Sequence, residues 1–346
     1  MKRLIKSSIE SAGKISAEKI TVFFQIACKL AHSCLMANVY FGKSKSGVPE
    51  NSIIFFPYTE NVLNCGLAGI VSFKGEEKAD RSIDIASLEG MAEKIDQFSY
   101  TACQKNNYSF DGHYLGGDDL MDSFFQSVRT LKDKNLFYNL FISEEMQVEL
   151  AKLADRLSNI INVEVNSLSE NMGHLETRDV DIISQRIEKL KDIAWCLNLE
   201  IIDNLKKVNN LLSLSKNQPT FSSVHIFKNI NAVLNSIDRL EVRGRDSAGI
   251  SLMFIMEKAQ FAKFEKTIEN ANLLDRVKER SAQDVLVNMG ISVNETKDES
   301  EKELSAITLT YKIAAEIGKL GDNISFLRQQ IKNDPVLQII ADFPHM

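Results

Sequence analysis

The chain has 346 residues, 44% of them hydrophobic, and its 41 lysine and arginine residues are set against 47 aspartate and glutamate residues. This length favours about two domains. The hydrophobic fraction is large enough to supply a sizeable core. A balanced, mildly acidic charge gives no electrostatic footprint for nucleic acid, whose phosphates need clustered cations. We therefore expect no nucleic-acid partner.

The cysteines and histidines give no sign of a metal or a disulfide framework. The five cysteines are odd in number and widely spaced, and none forms a Cys-x-x-Cys pair. The five histidines also lie apart from one another. We therefore expect no metal, no cofactor and a reduced, cytoplasmic protein. The cysteines are Cys28, Cys34, Cys65, Cys103 and Cys196.

Residues 1–50 are predicted to form a helical extension. A basic start is followed by an apolar stretch at residues 20–41, which contains Gln25, Lys29 and His32. This stretch begins too late for the apolar core of a signal peptide. It is also too polar for a membrane span, which needs roughly 20 predominantly apolar residues. We expect a buried or partner-facing amphipathic helix and no membrane segment.

Two separated parts of the chain, residues 51–75 and 218–256, are predicted to form the core of one domain. In the first part, an apolar run at residues 53–56 ends at Pro57, which indicates a short strand. A second apolar run, rich in small and β-branched residues, ends at Phe73 and indicates a buried strand.

In the second part of this core, a helix from about Ser222 leads to a strand at residues 250–255. Gly244 and Gly249 interrupt the helical pattern between them. We expect this strand to lie beside the one that ends at Phe73.

Between the two parts of the core, residues 76–217 are predicted to form a helical insertion. One helix begins at Ser143, whose side chain can cap it, and acidic residues follow in its first turn. Two apolar stripes recur at steps of three and four, which is the spacing of one helix face. We expect their helices to pack as an antiparallel pair, joined by the polar residues 166–180. The stripes are Met146, Leu150, Leu153, Leu157 and Ile160, and Ile183, Ile187, Leu190, Ala194, Leu197, Ile201, Leu205, Val208 and Leu212.

Residues 257–346 are predicted to be a helical C-terminal segment. Its longest helix is expected from about Glu303 to Lys332, with a break near residues 318–321. Pro335 then separates a last short helix at residues 336–341. The fold class that these patterns predict is α+β and predominantly α-helical.

Two short segments mix glycine, charge and small residues in an order that packing alone does not require. Residues 64–73 read NCGLAGIVSF, and residues 239–250 read RLEVRGRDSAGI. In this order they resemble the glutaminase domain of glutamine–fructose-6-phosphate amidotransferase, an N-terminal-nucleophile (Ntn) glutamine amidotransferase. Compact family members carry a Cys-Gly-Ile-Val-Gly segment closely followed by a Leu-Glu-Tyr-Arg-Gly-Tyr-Asp-Ser-Ala-Gly segment. The resemblance implies a partial Ntn-hydrolase αββα core that is divided here by large helical insertions.

The resemblance implies that Cys65 is the catalytic nucleophile. Its sulfur would attack the side-chain amide of glutamine, release ammonia and leave a thioester that water hydrolyses. The base in this class is the free α-amino group of the same cysteine, which has an ordinary pKa of about 8. Because Cys65 lies within the chain, activity requires cleavage between Asn64 and Cys65, or a different translation start. Judged alone, a cysteine beside glycine on an apolar strand is more often a core residue.

The second motif supplies three further candidate residues by the same resemblance. Arg243, Asp246 and Ser247 match family positions at the wall of the glutamine site. Arg243 could order the site through charge-assisted hydrogen bonds, while Asp246 and Ser247 could fix the turn between helix and strand. A glycine-rich helix C-cap held by polar side chains is an equally good interpretation of these three residues. Val242 and Arg245 stand where the compact pattern has tyrosines.

Other segments of the family pattern are missing from the sequence. The family continues with a His-Thr-Arg-Trp-Ala segment that binds the glutamine carboxylate and an Asn-Gly pair that forms the oxyanion hole. Neither occurs here, and the single tryptophan, Trp195, lies in the helical insertion. The sugar-phosphate isomerase domains are absent as well. Since one oxyanion donor alone is worth about 3–4 kcal/mol of barrier, we expect the chain to be incomplete and inactive alone.

Three hypotheses about function remain open. The chain could be the glutamine-hydrolysing part of an enzyme that makes glucosamine 6-phosphate from glutamine and fructose 6-phosphate, with the remainder encoded downstream. It could instead be a non-catalytic helical binding or scaffold module derived from that enzyme. It could also be a complete small glutaminase that is processed at Cys65. The sequence leaves open whether the chain forms a homo-oligomer.

Two isolated features of the sequence have simple structural interpretations. The segment Gly-Gly-Asp-Asp at residues 116–119 could suggest a metal loop, but a plain turn is favoured because no further spaced ligands follow. His225 is interpreted as a helix-surface or core residue and not as a catalytic base.

Overall fold

The computed structural model divides the chain into two compact units. The sheet unit comprises Met1–Glu76 and Asn210–Met346, and the helical unit comprises Glu77–Asn209. The helical unit lies within the predicted insertion 76–217. The predicted class, α+β and predominantly helical, is confirmed. The residues that the structure describes are 21–25, 52–55, 68–73, 84–212, 218–240, 247–283, 287–298, 301–313, 319 and 321–343.

The helical unit is a succession of helices that starts at Ile85. They run over Ile85–Gln97 (α1), Tyr100–Asn106 (α2), Phe110–His113 (α3), Gly117–Thr130 (α4), Lys134–Ile142 (α5), Glu144–Asn171 (α6), Thr177–Trp195 (α7) and Asp203–Leu212 (α8). Single 3₁₀ turns lie at Tyr114–Gly116 and Met172–His174. The segment Cys196–Ile202 is π-helical and joins α7 to α8 without a break.

The long helices of this unit follow the predicted stripes. The Ser143 hydroxyl accepts a hydrogen bond from the Met146 backbone N–H at 3.3 Å, which confirms the predicted cap of α6. Every residue of the second stripe, from Ile183 to Leu212, is buried. Helices α6 and α7 pack against each other. The apolar spacing therefore predicted the buried faces of these long helices, except at Met146, which is half-buried.

A small polar cluster is enclosed within this core. Glu164 on α6 is 1% exposed, and its carboxylate accepts a hydrogen bond from the Tyr100 backbone N–H at 3.0 Å. Tyr114 and Cys103 are fully buried nearby. Burial raises the pKa of Glu164, and the charge of Asp96 adds to this shift. The pKa of Tyr114 is raised by its own burial and by the Glu164 charge.

Replacing Glu164 by glutamine is expected to remove part of the pH dependence of stability. When folding raises the pKa of a carboxyl group, the protonated carboxyl stabilises the fold. This stabilisation is complete at a pH below the pKa of the unfolded state, and it is lost as the pH rises through the pKa of the folded state. Glutamine can still accept the Tyr100 hydrogen bond but never buries a charge. Urea unfolding followed by Trp195 fluorescence should give E164Q a higher midpoint than wild type at neutral pH, with the difference shrinking towards the unfolded pKa. The exposed Glu170 on the same helix provides the control, since E170Q should keep the wild-type dependence of the urea midpoint on pH. A midpoint for E164Q below that of wild type at every pH would contradict this account.

The sheet unit is built on an antiparallel sheet. Its strands are Thr21–Gln25 (β1), Ser52–Phe55 (β2), Ala68–Phe73 (β3), Ala248–Glu257 (β4), Ile291–Lys297 (β5) and Glu303–Ile313 (β6). Their order is β2-β3-β1-β4-β6-β5, and each neighbouring pair is antiparallel. Its helices are Phe221–Leu240 (α9), Lys258–Asn270 (α10), Leu274–Ser281 (α11), Asp322–Lys332 (α12) and Pro335–Asp342 (α13).

Two helical predictions are wrong in this unit. Thr21–Gln25 form strand β1 and are not part of an N-terminal helix. The C-terminal segment also contains strands β5 and β6, although residues 303–313 were expected in a helix. The apolar residues of this segment have a spacing that also fits a helix. The segment forms a strand because β6 pairs with β4 along nearly its whole length and is rich in β-branched residues. The last short helix after Pro335 is confirmed as α13.

Helices α9 and α13 contact one face of the sheet. Along β4, buried residues alternate with half-buried ones from Ile250 onwards. Because opposite residues in an antiparallel pair share a face, Ile250, Tyr311 and Ser72 all lie on the covered side. On this side, Ser72 contacts α9 and Tyr311 contacts the start of α13. On β4, the face that carries Ser251 and Met253 is less buried. On β6, both faces are buried from Ser305 to Tyr311.

Candidate functional site

The candidate site residues divide between described and undescribed parts of the chain. Cys65, Arg243 and Asp246 lie outside the described residues. Ser247 is described; it is half-buried and immediately precedes the first residue of β4, Ala248. The structure therefore positions the strands that follow the two motifs.

The register of β1 fixes how these two strands are arranged. Phe23 in β1 lies opposite Val71 of β3 on one side and opposite Met253 of β4 on the other. Both strands are antiparallel to β1, so they run in the same direction and begin at the same edge of the sheet. Two strand spacings separate them, or about 10 Å. β3 begins at Ala68 and β4 at Ala248, and this common end of the two strands is the shared edge of the sheet.

One prediction about these strands is wrong in detail. The strand after the second motif was expected to lie directly beside the strand that ends at Phe73. Instead β1 is inserted between β3 and β4, and β4 pairs with β1 and β6. Thr21–Gln25, which were expected in a helix, provide the intervening strand. This one misassignment therefore explains both the wrong helix and the wrong neighbour of β4.

The shared edge also includes the end of β6 and the turn before β5. Ile313 lies opposite Ala248, so β6 ends where β4 begins. The Lys312 backbone N–H donates a hydrogen bond to Asn288 Oδ1 at 2.8 Å. The Thr310 N–H donates to the Gly290 carbonyl at 3.0 Å. These bonds attach the turn before β5 firmly to the end of β6.

A contact between serine and histidine lies towards the other end of β3. Ser72 Oγ is 3.0 Å from His225 Nε2, and Asn229 Nδ2 is 3.4 Å from the same nitrogen. Ser72 is only 4% exposed beneath α9, so a substrate could not reach its hydroxyl. The contact joins α9 to the sheet, which agrees with the structural interpretation of His225. A lone histidine in the sequence gave no signal of its partner.

The segment at residues 116–119 forms the start of a helix. Gly116 and Gly117 both have φ of 78°, a conformation that favours glycine. Asp118 lies in the first turn of α4 and contacts Arg186 at 3.4 Å and Lys189 at 3.6 Å. Within the described ranges, no group of three or more histidine, cysteine or acidic side chains is placed to hold a metal ion.

Two of the five cysteines can be described, and both are free and buried. Burial raises the pKa of Cys103, with a further increase from the Glu164 charge. Burial also raises the pKa of Cys196 to about 11. Since the thiolate is the reactive form, both thiols should be poor nucleophiles in the folded protein.

Comparisons with known proteins identify no relative of this chain. No protein-family model, no curated protein and no solved structure matches it. Among the described residues, no helix is both long and apolar enough to cross a membrane.

Proposed function

We propose that the chain supplies the nucleophile-bearing part of a glutamine amidotransferase site. The reaction would be that of glutamine–fructose-6-phosphate transaminase, in which glutamine donates the nitrogen of glucosamine 6-phosphate. The observation that carries the proposal is the shared edge of the sheet. The two motifs are far apart in sequence, and each runs into a strand that begins at this edge: the first into β3 and the second into β4.

Cys65 is the proposed nucleophile at this edge. It lies three positions before the start of β3 at Ala68. Cleavage between Asn64 and Cys65 would give the cysteine a free α-amino group, which can accept the thiol proton. Attack on the glutamine side-chain amide would then form a thioester and release ammonia, and water would release glutamate.

The second motif is proposed to order the same site. Arg243, Asp246 and Ser247 belong to the connection between the end of α9 at Leu240 and the start of β4 at Ala248. A guanidinium in this connection would offer charge-assisted hydrogen bonds to a carboxylate. The two shorter side chains would hold the turn by hydrogen bonds to the backbone.

Full activity is proposed to need additional residues. The sequence contains no Asn-Gly pair for an oxyanion hole and no His-Thr-Arg-Trp segment for the glutamine carboxylate. We propose that these, and the domains that bind the sugar phosphate, are encoded downstream. Sequencing past the codon for Met346 should reveal them. Unrelated sequence in all three frames would remove this part of the proposal. The buried free thiols fit the cytoplasm, where we place the reaction.

The proposal is tested by exposing the α-amino group of Cys65 in the folded chain. Because β1 and β2 precede Cys65, the chain should be folded whole and then cut at a protease site engineered before this residue. The cut protein is treated with the L-glutamine analogue that carries a diazoketone in place of the amide. Intact-mass and peptide analysis should show one adduct, on Cys65, and much slower modification before the cut. Ammonia release from glutamine should stay near background, because the oxyanion donor is worth about 3–4 kcal/mol.

Three controls separate a site from general thiol reactivity. The cut C65A variant should stay unmodified, and the D-enantiomer of the analogue should react more slowly than the L-enantiomer. Cys103 and Cys196 should remain unmodified in the same sample, since burial raises the pKa of both thiols. Equal modification of Cys65 before and after the cut would contradict the proposal.

The second candidate function is a non-catalytic helical binding module. It is favoured by the compactness of the helical unit, within which the stripe from Ile183 to Val208 is buried. Trp195 and Leu199 are among its exposed apolar side chains. A cut protein that unfolds cooperatively but leaves Cys65 unmodified by the L-analogue would favour this function over the first.

A further inference from the structure

Helix α2, Tyr100–Asn106, is attached to the rest of the helical unit by few contacts. Only two of its side chains, those of Tyr100 and Cys103, are buried, and its last three residues are exposed. Among the described residues, its side-chain hydrogen bonds stay within the helix or reach the adjacent Phe98 carbonyl. The one hydrogen bond from α2 to a different helix is donated by the Tyr100 N–H to Glu164 Oε2 on α6. A short helix held so sparsely is expected to open more easily than its neighbours.

The helix that follows, α3, is held more firmly. Arg186 on α7 donates to the carbonyl oxygens of Phe110 and Tyr114 at 2.9 and 2.6 Å. The Leu115 N–H donates to the Phe98 carbonyl at 2.8 Å, which closes the base of the segment that contains both short helices. A guanidinium keeps its charge throughout the pH range in which proteins fold. The attachment of α3 is therefore independent of pH, whereas that of α2 depends on a carboxyl group.

This carboxyl, Glu164, is buried without a counter-charge. It is 1% exposed, and none of the lysine and arginine residues that the structure describes forms an ion pair with it. The Tyr114 hydroxyl lies beside it but outside good hydrogen-bond geometry. Burial raises the pKa of Glu164, the neighbouring Tyr114 hydroxyl and Tyr100 N–H offset this shift only in part, and the charge of Asp96 on α1 adds to it. Ionisation is therefore disfavoured while α2 is in place.

The other elements that contact α6 supply no partner for this carboxyl. Cys103 on α2 is close enough for the Glu164 charge to raise its pKa further, beyond the larger effect of burial. The remaining buried titratable or charged side chains on these elements are Arg186 and Cys196, and the half-buried ones include Glu89, Lys134, Lys189 and Glu200. No hydrogen bond or ion pair joins any of these described side chains to Glu164.

We infer that α2 is a flap, which protonated Glu164 holds closed against α6 and which opens when this carboxyl ionises, while α3 stays in place. A protonated carboxyl can still accept the Tyr100 N–H bond, and it buries no charge. An ionised carboxyl without a counter-charge is costly to bury, and outward movement of α2 lets water reach it. Asn107, which ends α2 with φ of 55°, provides the hinge towards α3. The flap uses none of the residues assigned to the glutamine site and is independent of that proposal.

Cys103 reports on the flap directly, because it is the fully buried thiol of α2. The full-length chain is labelled with dithiodipyridine over a series of pH values, and peptide mapping gives separate rates for Cys103 and Cys196. Each rate is divided by that of the same cysteine in the urea-unfolded chain, which removes the titration of the thiol and leaves the open fraction. For Cys103 this fraction should rise by up to about tenfold per pH unit above the ordinary glutamate pKa, then level off at the raised pKa of closed Glu164. For Cys196, which is buried outside the flap, it should stay constant.

Matched variants assign the effect to Glu164. E164Q should give a low open fraction for Cys103 that does not change with pH, whereas E170Q, which alters an exposed carboxyl of the same helix, should keep the wild-type rise. Amide hydrogen exchange, corrected for its intrinsic pH dependence, should show the same rise in peptides from α2 and none in peptides from α3.

Two results would overturn the flap. A parallel rise for Cys103 and Cys196 would show that the helical unit unfolds as a whole, and this comparison needs only the wild-type chain. A flat profile for Cys103 in wild type, or an undiminished rise in E164Q, would show that the carboxyl does not control α2.

Discussion

Replacing Asp334 by alanine is expected to lower the free energy of unfolding of the sheet unit by about 3–5 kcal/mol. Asp334 is fully buried and binds Arg280 through both carboxylate oxygens. It also accepts a hydrogen bond from the Tyr311 hydroxyl at 2.7 Å and caps α13 through the Val336 N–H at 3.0 Å. Removing the carboxylate leaves the guanidinium buried without its counter-charge. The variant therefore loses a cap and gains an uncompensated buried charge.

Hydrogen exchange of peptides from β6 and α12, followed by mass spectrometry, would measure this loss. D334N should be affected less than D334A, since an amide oxygen can still accept hydrogen bonds. The exposed pair Lys297–Glu301, with a separation of 2.7 Å, provides a control in the same unit. K297A should change stability by no more than about 1 kcal/mol. If D334A changes stability no more than K297A does, the buried pair contributes nothing to the stability of the sheet unit.

Replacing Arg186 by methionine is expected to destabilise the helical unit by about 3 kcal/mol or more. Arg186 is 4% exposed, and its guanidinium donates to the carbonyl oxygens of Phe110 at 2.9 Å and of Tyr114 at 2.6 Å. It donates to the Asp111 carbonyl as well. The Phe110 and Tyr114 carbonyls also accept one backbone bond each, from the Tyr114 and Gly117 N–H groups. The expected loss therefore comes from the three charge-assisted hydrogen bonds themselves, which contribute about 1.5–3 kcal/mol each.

The fluorescence of Trp195 reports on this unit, because it is the only tryptophan in the chain. Urea titrations should therefore show an earlier transition for R186M. R186K should fall between R186M and wild type, since an ammonium cannot reproduce the planar fork. Arg178, on the same helix, pairs with the Asp111 carboxylate at 2.7 Å but is exposed. R178M should cost no more than about 1 kcal/mol, so equal shifts for R178M and R186M would contradict this assignment.

The helical unit could be predicted from the sequence because its signals are local. The stripe from Ile183 to Leu212 needs only the helical period, and the Ser143 cap needs only neighbouring residues. The π-helical segment Cys196–Ile202 was not predicted. The stripe residues still recur at steps of three and four through this segment and stay buried, so the sequence gives no clear sign of the wider turn.

The sheet was harder to predict because its strands depend on distant partners. Strand β1 is only Thr21–Gln25, embedded in an apolar stretch that also fits a helix. In β6, both faces are buried from Ser305 to Tyr311, so the alternation that identifies a strand is lost. The pairing of β6 with β4 decides its conformation, and no local pattern contains that information.

The candidate site shows the same limits. Its motifs are predictions from residue order, and the sequence did not show that β1 separates the two strands. The partnership of Arg280 with Asp334 joins residues far apart in the chain. Only Asp334 gave a local signal, because an aspartate before Pro335 is a typical helix start.

The central claim, that both motifs enter one sheet at the same edge, can be tested by a distance between β3 and β4. Nitroxide labels at V71C and M253C, in a chain without other cysteines, report on half-buried positions opposite Phe23. Their backbones should lie about 10 Å apart, which gives strong dipolar broadening of the electron paramagnetic resonance spectrum. The pair V71C and E303C should lie about 20 Å apart and give little broadening. If V71C and M253C show no more broadening than this control, β3 and β4 do not share the sheet as described, and the proposed site loses its basis.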